Sequence, residues 1–274
     1  MLSGQHRKNL MTEVHQPDSS AGDSEYHDAM LALLQWIWGQ DFMAPGGEGN
    51  VAKMVQGLEL EGKRVLDVGS GLGGPAFVLA KKYGAIVTGT DLEPHLVKRA
   101  TKRAMELGLT EQVQFLQVEP GPMNFPDQSF DLVMSAGAIT QTSDKLGIFR
   151  EIHRVLKPGG ALRCYDWMKS PGAYSEDMLY WFRMEGLTYA METLERHGEI
   201  LQEAGFVDVE LEDASDWYRR QSREEYALLK GQGYTRIVEL IGQKDADHLV
   251  ENWRAMVVVC EKGEMRQGYI RARK

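Results

Sequence analysis

The chain has 274 residues, 43% of them apolar, and a formal net charge of −9; that suits one large α/β domain or two small ones and excludes overall disorder. It lacks the basic excess of a protein held on phosphate backbones, so neither nucleic acid nor an anionic membrane is an expected partner. Cys164 and Cys260 have no metal-ligand spacing, no run reaches the roughly 18 apolar residues of a spanning helix, and Met1–Ser20 carries no apolar secretory segment, so a cytoplasmic protein is expected.

Residues 1–24 are polar and aperiodic and read as a flexible tail. Met30, Leu31, Leu33, Leu34, Ile37 and Trp38 then form an apolar helical stripe that Gly39 ends. With the turn Phe42–Gly47, residues 25–47 make an N-terminal helical cap. A helix over Gly49–Gly57 leads into an alternation of strands and helices. The strands are expected at Arg64–Val68, Ile86–Thr90, Val113–Val118, Phe130–Ser135 and Ala161–Asp166. Lys157-Pro158-Gly159-Gly160 is the turn before the fifth. Repeated strand–helix units imply a parallel sheet with helices on both faces.

A helix near His197–Ala204 precedes a strand at Phe206–Leu211, and the final strand is expected at Gly268–Arg273. The intervening stretch, about residues 212–265, has helical character and is too long for a structureless loop. It is expected to fold over the strand ends as a lid, within a domain covering residues 48–274.

The richest signal is Val65-Leu66-Asp67-Val68-Gly69-Ser70-Gly71-Leu72-Gly73-Gly74, an apolar strand that breaks into a glycine-rich turn. Glycine lets backbone N–H groups approach a ligand closely, and at the carboxyl end of a parallel strand that ligand is usually a nucleotide. Gly69, Gly71 and Gly74 satisfy G-x-G-x-x-G, which also fits a dinucleotide oxidoreductase. Four neighbours favour S-adenosylmethionine (SAM) instead. Asp67 precedes the first glycine by two residues, and Asp91 closes the second strand, where it can accept from both ribose hydroxyls. Asp127–Val133 opens the fourth strand, and Arg154–Gly160 precedes the fifth.

Together these motifs resemble the class I SAM-dependent methyltransferases over about residues 42–211. The resemblance implies an α/β, Rossmann-like, doubly wound sheet of seven strands with the last antiparallel. It places SAM, leaving as S-adenosylhomocysteine (SAH), across the strand ends. It also implies that Gly69, Gly71 and Gly73 line the methionine end, that Asp91 holds the ribose and that Glu119 meets the adenine amino group. Ser135 would offer a carbonyl near the amine, and Met43, Ala44, Asp67, Leu92 and Pro120 fall to the cofactor as well. Pro120 lacks the N–H that commonly bonds the adenine ring.

A finer resemblance runs from Glu25-Tyr26 through Trp38-Gly39 to Pro45-Gly46-Gly47, and again from Trp253 to Ile270. These stretches are similar to the phosphoethanolamine N-methyltransferases, with dimethylglycine methyltransferases sharing a related layout. The resemblance implies no metal and puts Tyr26 at the methyl-transfer site. Departures are equally specific. The family's Asp-x-x-x-His after the fourth strand is Gly137-Ala138-Ile139-Thr140-Gln141 here, and its tyrosine after the fifth-strand aspartate is Trp167. Arg183 lies in a stretch aligned with a basic phosphate-binding segment.

Without the histidine no strong base remains, although Gln141 can still orient a polar acceptor. Aromatic faces favour the diffuse positive charge of a sulfonium-to-amine transfer. Tyr26 and Gln141 are therefore the catalytic candidates, and Trp36, Gly137, Trp167 and Arg183 the acceptor-binding ones. The expected reaction is methyl transfer to nitrogen or sulfur of a small polar metabolite: an amino acid, a betaine precursor or a phosphobase. Two alternatives stand beside it: carbon methylation of a lipid-like acceptor, which the Met- and Trp-rich lid would also suit, and a non-catalytic SAM-binding module.

Overall fold

In the computed structural model, residues 28–187 and 189–274 are described. The expected tail (1–24) and Tyr26 lie outside the described residues. Chain order is α1 (Asp28–Trp38), α2 (Gly47–Met54), β1 (Arg64–Val68), α3 (Gly74–Tyr83), β2 (Ile86–Asp91), α4 (Pro94–Glu106), β3 (Val113–Gln117) and β4 (Phe130–Ala136). There follow α5 (Lys145–Val155), β5 (Leu156–Lys169), α6 (Glu176–Glu185), α7 (Leu194–Glu203), β6 (Val207–Asp213), α8 (Ser215–Lys230), α9 (Tyr234–Ile241), α10 (Gln243–Glu261) and β7 (Met265–Arg273).

The seven strands form one sheet in the order β3-β2-β1-β4-β5-β7-β6. β1 to β5 run parallel, and β7 pairs antiparallel with both β5 and β6. The order reverses at β1, and a ligand crevice belongs outside the strand ends at such a switch point. Central strands are near-continuous apolar runs because helices cover both faces. Val65, Leu66, Leu132, Val133 and Met134 are all buried.

Two local readings of the sequence change. β5 begins at Leu156, five residues before the expected start at Ala161: Lys157–Gly160 is not a separate turn but a bulge inside one long strand. Pairing jumps from Phe130↔Leu156 to Leu132↔Ala161 across it, and Gly159 absorbs the kink at φ +75°. Such an insertion bends a strand without ending its ladder. The second change is α6, an unexpected helix. Ser175 caps it by accepting from Met178 N, and Gly186 ends it in the left-handed conformation.

The expected lid is present as α8, α9 and α10. It packs with α1 and α6 around Trp181, Tyr218, Leu229, Ile237 and Trp253, a core separate from those flanking the sheet. Buried Glu225 on α8 accepts from Trp38 Nε1 of α1 at 2.8 Å and from Trp253 Nε1 of α10 at 3.0 Å. One carboxylate thus ties the cap to the lid. Among the described residues, no helix is long and apolar enough to cross a membrane.

Candidate active site

A cleft of about 980 Å³ opens at the carboxyl ends of β1, β2 and β4. Its floor is the turn after β1. Gly69 and Gly71 sit at φ +72° and +52°, which an L side chain rarely adopts. A Cβ on Gly69 would overlap that of Ala138, and one on Gly71 would meet Met43 Sδ at 2.9 Å. Both glycines are therefore required by close approach of the cap loop and the loop after β4. The turn is fixed to β2: Gly69 N and Ser70 N each donate to Thr90 O at 2.9 Å.

Asp91 completes the floor. Its Oδ2 accepts from Gly71 N at 2.8 Å and its Oδ1 from Glu93 N at 3.0 Å. Each oxygen keeps a lone pair for a vicinal diol. Asp67 lies underneath, 1% exposed, with Oδ2 unpaired among the described residues. Burial, reinforced by the charge of Asp91, pushes its carboxyl up to about 7. A cation bound above would favour its ionised form. Ser70 Oγ is likewise buried and unpaired. An anionic floor, a close-approach backbone and an orphaned hydroxyl fit the amino acid and ribose parts of SAM.

The cap loop forms one wall and brings Met43 and Ala44 to the cleft. Asp41 anchors it: Gly74 N donates to Asp41 O at 2.9 Å, and Arg103 Nε holds its carboxylate at 3.0 Å. Leu92 is at the rim, and the loop after β3 brings Glu119 and Pro120 to the far end. Arg154 pins that loop by donating to Met123 O and Phe125 O, each at 2.8 Å, and pairs with Asp127 and Glu151.

Past the end of β4 the cleft is bounded by Gly137 and Gln141. Their loop is held from below by two buried charges. Asp166 Oδ2 accepts from Thr140 N at 2.8 Å, and Lys145 Nζ donates to Ile139 O and Thr142 O at 2.9 Å each. Burial raises the Asp166 carboxyl to about 7 despite these donors, and burial lowers the Lys145 ammonium. Gly137 sits at φ +84°, and a Cβ there would meet Ala44 Cβ at 3.6 Å.

The structure thus gathers Met43, Ala44, Gly69, Gly71, Asp91, Leu92, Glu119, Pro120, Gly137 and Gln141 around one space. It places the other candidates elsewhere. Gly73 caps α3 against the sheet, where a Cβ would meet Phe115 at 2.6 Å and Phe77 at 2.8 Å; helix–strand packing accounts for it. Ser135 is buried behind the cleft and donates to Val68 O at 2.9 Å. Trp36 is on the outer side of α1, near Gly233. Arg183 is exposed on α6 over the Tyr180 ring. Trp167 lies under the lid against Trp181, Tyr189 and Tyr218.

Sequence reasoning missed Asn50. It lines the cleft from α2 while its Oδ1 accepts from Tyr269 OH at 2.6 Å. A signal existed: Asn50 shares the buried side of α2 with Val51 and Met54, a polar residue at a core position.

Comparison with known proteins agrees with this geometry. Residues 66–164 match the "Methyltransferase domain" family model. A phosphoethanolamine N-methyltransferase of Triticum aestivum is 32% identical over 245 residues, 89% of this chain and 48% of that protein. One from Plasmodium falciparum is 27% identical over 97% of this chain and 99% of its own length. A solved Haemonchus contortus phosphoethanolamine N-methyltransferase 2, in complex with phosphomonomethylethanolamine and S-adenosylhomocysteine, superposes with a TM-score of 0.84. It has 26% identity, over 92% of this chain and 59% of that one. The chain spans about half the length of the plant relatives it matches. The chain is thus similar to SAM-dependent methyltransferases, and over most of its length to the phosphoethanolamine N-methyltransferases.

Proposed function

We propose that the chain transfers the methyl group of SAM to the nitrogen of a small polar amine. The observation that carries this reading is the shared floor of Gly69, Gly71 and Asp91 beneath a cleft that continues past the ribose end to Gly137 and Gln141. At about 980 Å³ the cleft is at the top of the roughly 300–1,000 Å³ range of small-molecule sites. That leaves room for a cofactor and a compact partner. The phosphoethanolamine N-methyltransferase relatives support nitrogen as the accepting atom and a phosphobase as the acceptor class.

When bound, SAM supplies an electrophilic methyl group on a sulfonium. The protein's part is alignment and exclusion of water. Asp91 would accept from the ribose hydroxyls, and Glu119 would meet the adenine edge. Gln141 would orient the acceptor by hydrogen bonding, with Tyr26 as a second candidate from the cap. Among the described residues the cleft presents no histidine to its methyl end, so the acceptor's proton leaves to water. We also place the protein in the cytoplasm, a reading supported by the two buried, unpaired thiols.

The test is SAH formation by the purified chain with SAM and a panel of small amines. Turnover of at least one amine is expected. SAM binding without turnover of any amine would overturn the nitrogen-acceptor reading.

A further inference from the structure

Asp41 holds a backbone conformation that few side chains tolerate. Its φ is +68°, in the left-handed region that favours glycine and, after it, asparagine and aspartate. It is the third residue of a turn closed by Phe42 N, which donates to Gly39 O at 3.1 Å. A left-handed residue at that place is ordinarily glycine or asparagine. Three non-glycine residues among the described ones have positive φ, and of these Asp41 alone lines the cleft.

Its contacts account for a side chain there. Asp41 N donates to Gln35 Oε1 of α1 at 3.0 Å, and Gln40 Nε2 donates to Asp41 Oδ1 at 3.0 Å. Asp41 O accepts from Gly74 N at 2.9 Å; Gly74 begins α3, and its N–H is one of those a helix leaves without an internal partner. Arg103 Nε of α4 donates to both carboxylate oxygens, at 3.2 and 3.0 Å. The Asp41 side chain is only 13% exposed, so the pair is screened less than one on the open surface. A Cβ on Gly74 would meet Asp41 O at 2.6 Å and Phe42 Cγ at 3.0 Å. The last glycine of G-x-G-x-x-G therefore serves the docking of the cap loop. Through Asp41 the cap loop is fastened to the two helices that follow β1 and β2, the strands whose ends form the cleft floor. Met43 and Ala44 come next in the chain and line the same cleft.

We propose that Asp41 is a positioning residue for the cofactor: paired with Arg103, it seats Met43 and Ala44 over the glycine turn and so sets the rate at which SAM or SAH leaves. The proposal rests on the reading that Gly69, Gly71 and Asp91 hold SAM, and it assigns retention of that ligand to a separate residue pair. Moving the cap wall away from the floor breaks the Gly74 and Arg103 bonds to Asp41 together. Glycine at position 41 would keep the turn and the Gly74 bond but not the ion pair. Arg103 does not line the cleft, so its effect on the ligand passes through Asp41.

The experiment follows the exchange of bound radiolabelled SAH for excess unlabelled SAH on the full chain. Asp41→Gly and Arg103→Met should each raise the dissociation rate at least tenfold, equal to about 1.4 kcal/mol, while the association rate changes less than threefold. The double variant should be no worse than the more severe single one, because both break the same pair. Arg103→Lys, which keeps the charge, should recover part of the retention lost in Arg103→Met. In steady state the KM for SAM should rise and the acceptor KM stay unchanged. A purely structural role would lower Tm and leave the dissociation rate of the folded variants as it is in the parent; that result overturns the proposal, as do effects that multiply in the double variant. In either case SAH binding by the parent leaves the cofactor reading standing. A folded parent chain that binds no SAH removes that reading and this proposal with it.

Discussion

The backbone N–H of Gly71 donates to Asp91 Oδ2 at 2.8 Å. This bond joins the glycine turn after β1 to the last residue of β2, so the two parts of the cofactor floor form one unit. Positive φ at Gly71 turns its N–H toward the carboxylate, and the absent Cβ leaves room for Met43. A mutation of either residue acts on the other.

Asp91→Ala removes the acceptor for Gly71 N and Glu93 N together with the proposed ribose contact. A hydrogen bond to a charged group contributes about 1.5–3 kcal/mol. SAM affinity is expected to fall at least tenfold, which equals about 1.4 kcal/mol. The check is a ligand-dependent shift in Tm: the variant should remain folded and lose most of the SAM-induced shift seen in the parent chain.

Gly71→Ala and Gly73→Ala should fail in different ways. The first pushes a methyl group toward Met43 at the cleft, so binding suffers more than folding. The second drives a methyl group into Phe115 and Phe77, an overpacked core contact of about 1–3 kcal/mol. Chemical denaturation and SAH titration of both variants separate the effects. Gly73→Ala should lower stability more than Gly71→Ala, and Gly71→Ala should weaken SAH more.

Asp67 gives a pH signature of unusual sign. Its folded carboxyl titrates at about 7 against an ordinary 3.8. Between those values the folded state holds a proton that the unfolded chain has lost, so this group's contribution to stability declines as pH rises through the window. Three pH units of displacement set an upper bound of about 4 kcal/mol. Asp67→Asn removes the term. The difference in unfolding free energy between the parent and Asp67→Asn should therefore turn against the parent between pH 5 and pH 8. A difference that stays flat over that range would show that the buried carboxyl titrates normally.

Gln141→Ala tests the acceptor side of the cleft. Gln141 is exposed on the loop clamped by Asp166 and Lys145. Its replacement should leave Tm and SAH affinity nearly unchanged and lower kcat/KM for the acceptor about tenfold. Steady-state kinetics with the best amine of the panel provide the check.

Much of this architecture was legible because parallel central strands are apolar runs that stop at Asp or Gly. Val65–Val68 and Ile86–Thr90 show this directly, and both precede residues of the cleft floor. The beginning of β5 was harder, because Pro158-Gly159-Gly160 carries turn chemistry that here serves a bulge within a paired strand. α6 was missed since Leu179, Tyr180, Trp181 and Phe182 form a continuous apolar-aromatic run with no helical stripe; tertiary packing decides which side is buried. The motif that points to Gly69 and Gly71, which line the cleft, also takes in Gly73, whose surroundings are Phe77 and Phe115, brought together only by the fold. Trp167 presented the opposite difficulty. Its motif position was clear, but the strand's pleat sends the ring under the lid, beside Gln267 from the far end of the chain.

The central claim is that the floor built by Gly69, Gly71 and Asp91 holds the methyl donor. Calorimetric titration of SAH into the parent chain tests it most directly. Saturable binding at one site per chain, abolished or strongly weakened in folded Asp91→Ala, is the predicted result. An absence of binding heat across several temperatures, in a chain whose circular dichroism shows the native fold, would contradict it.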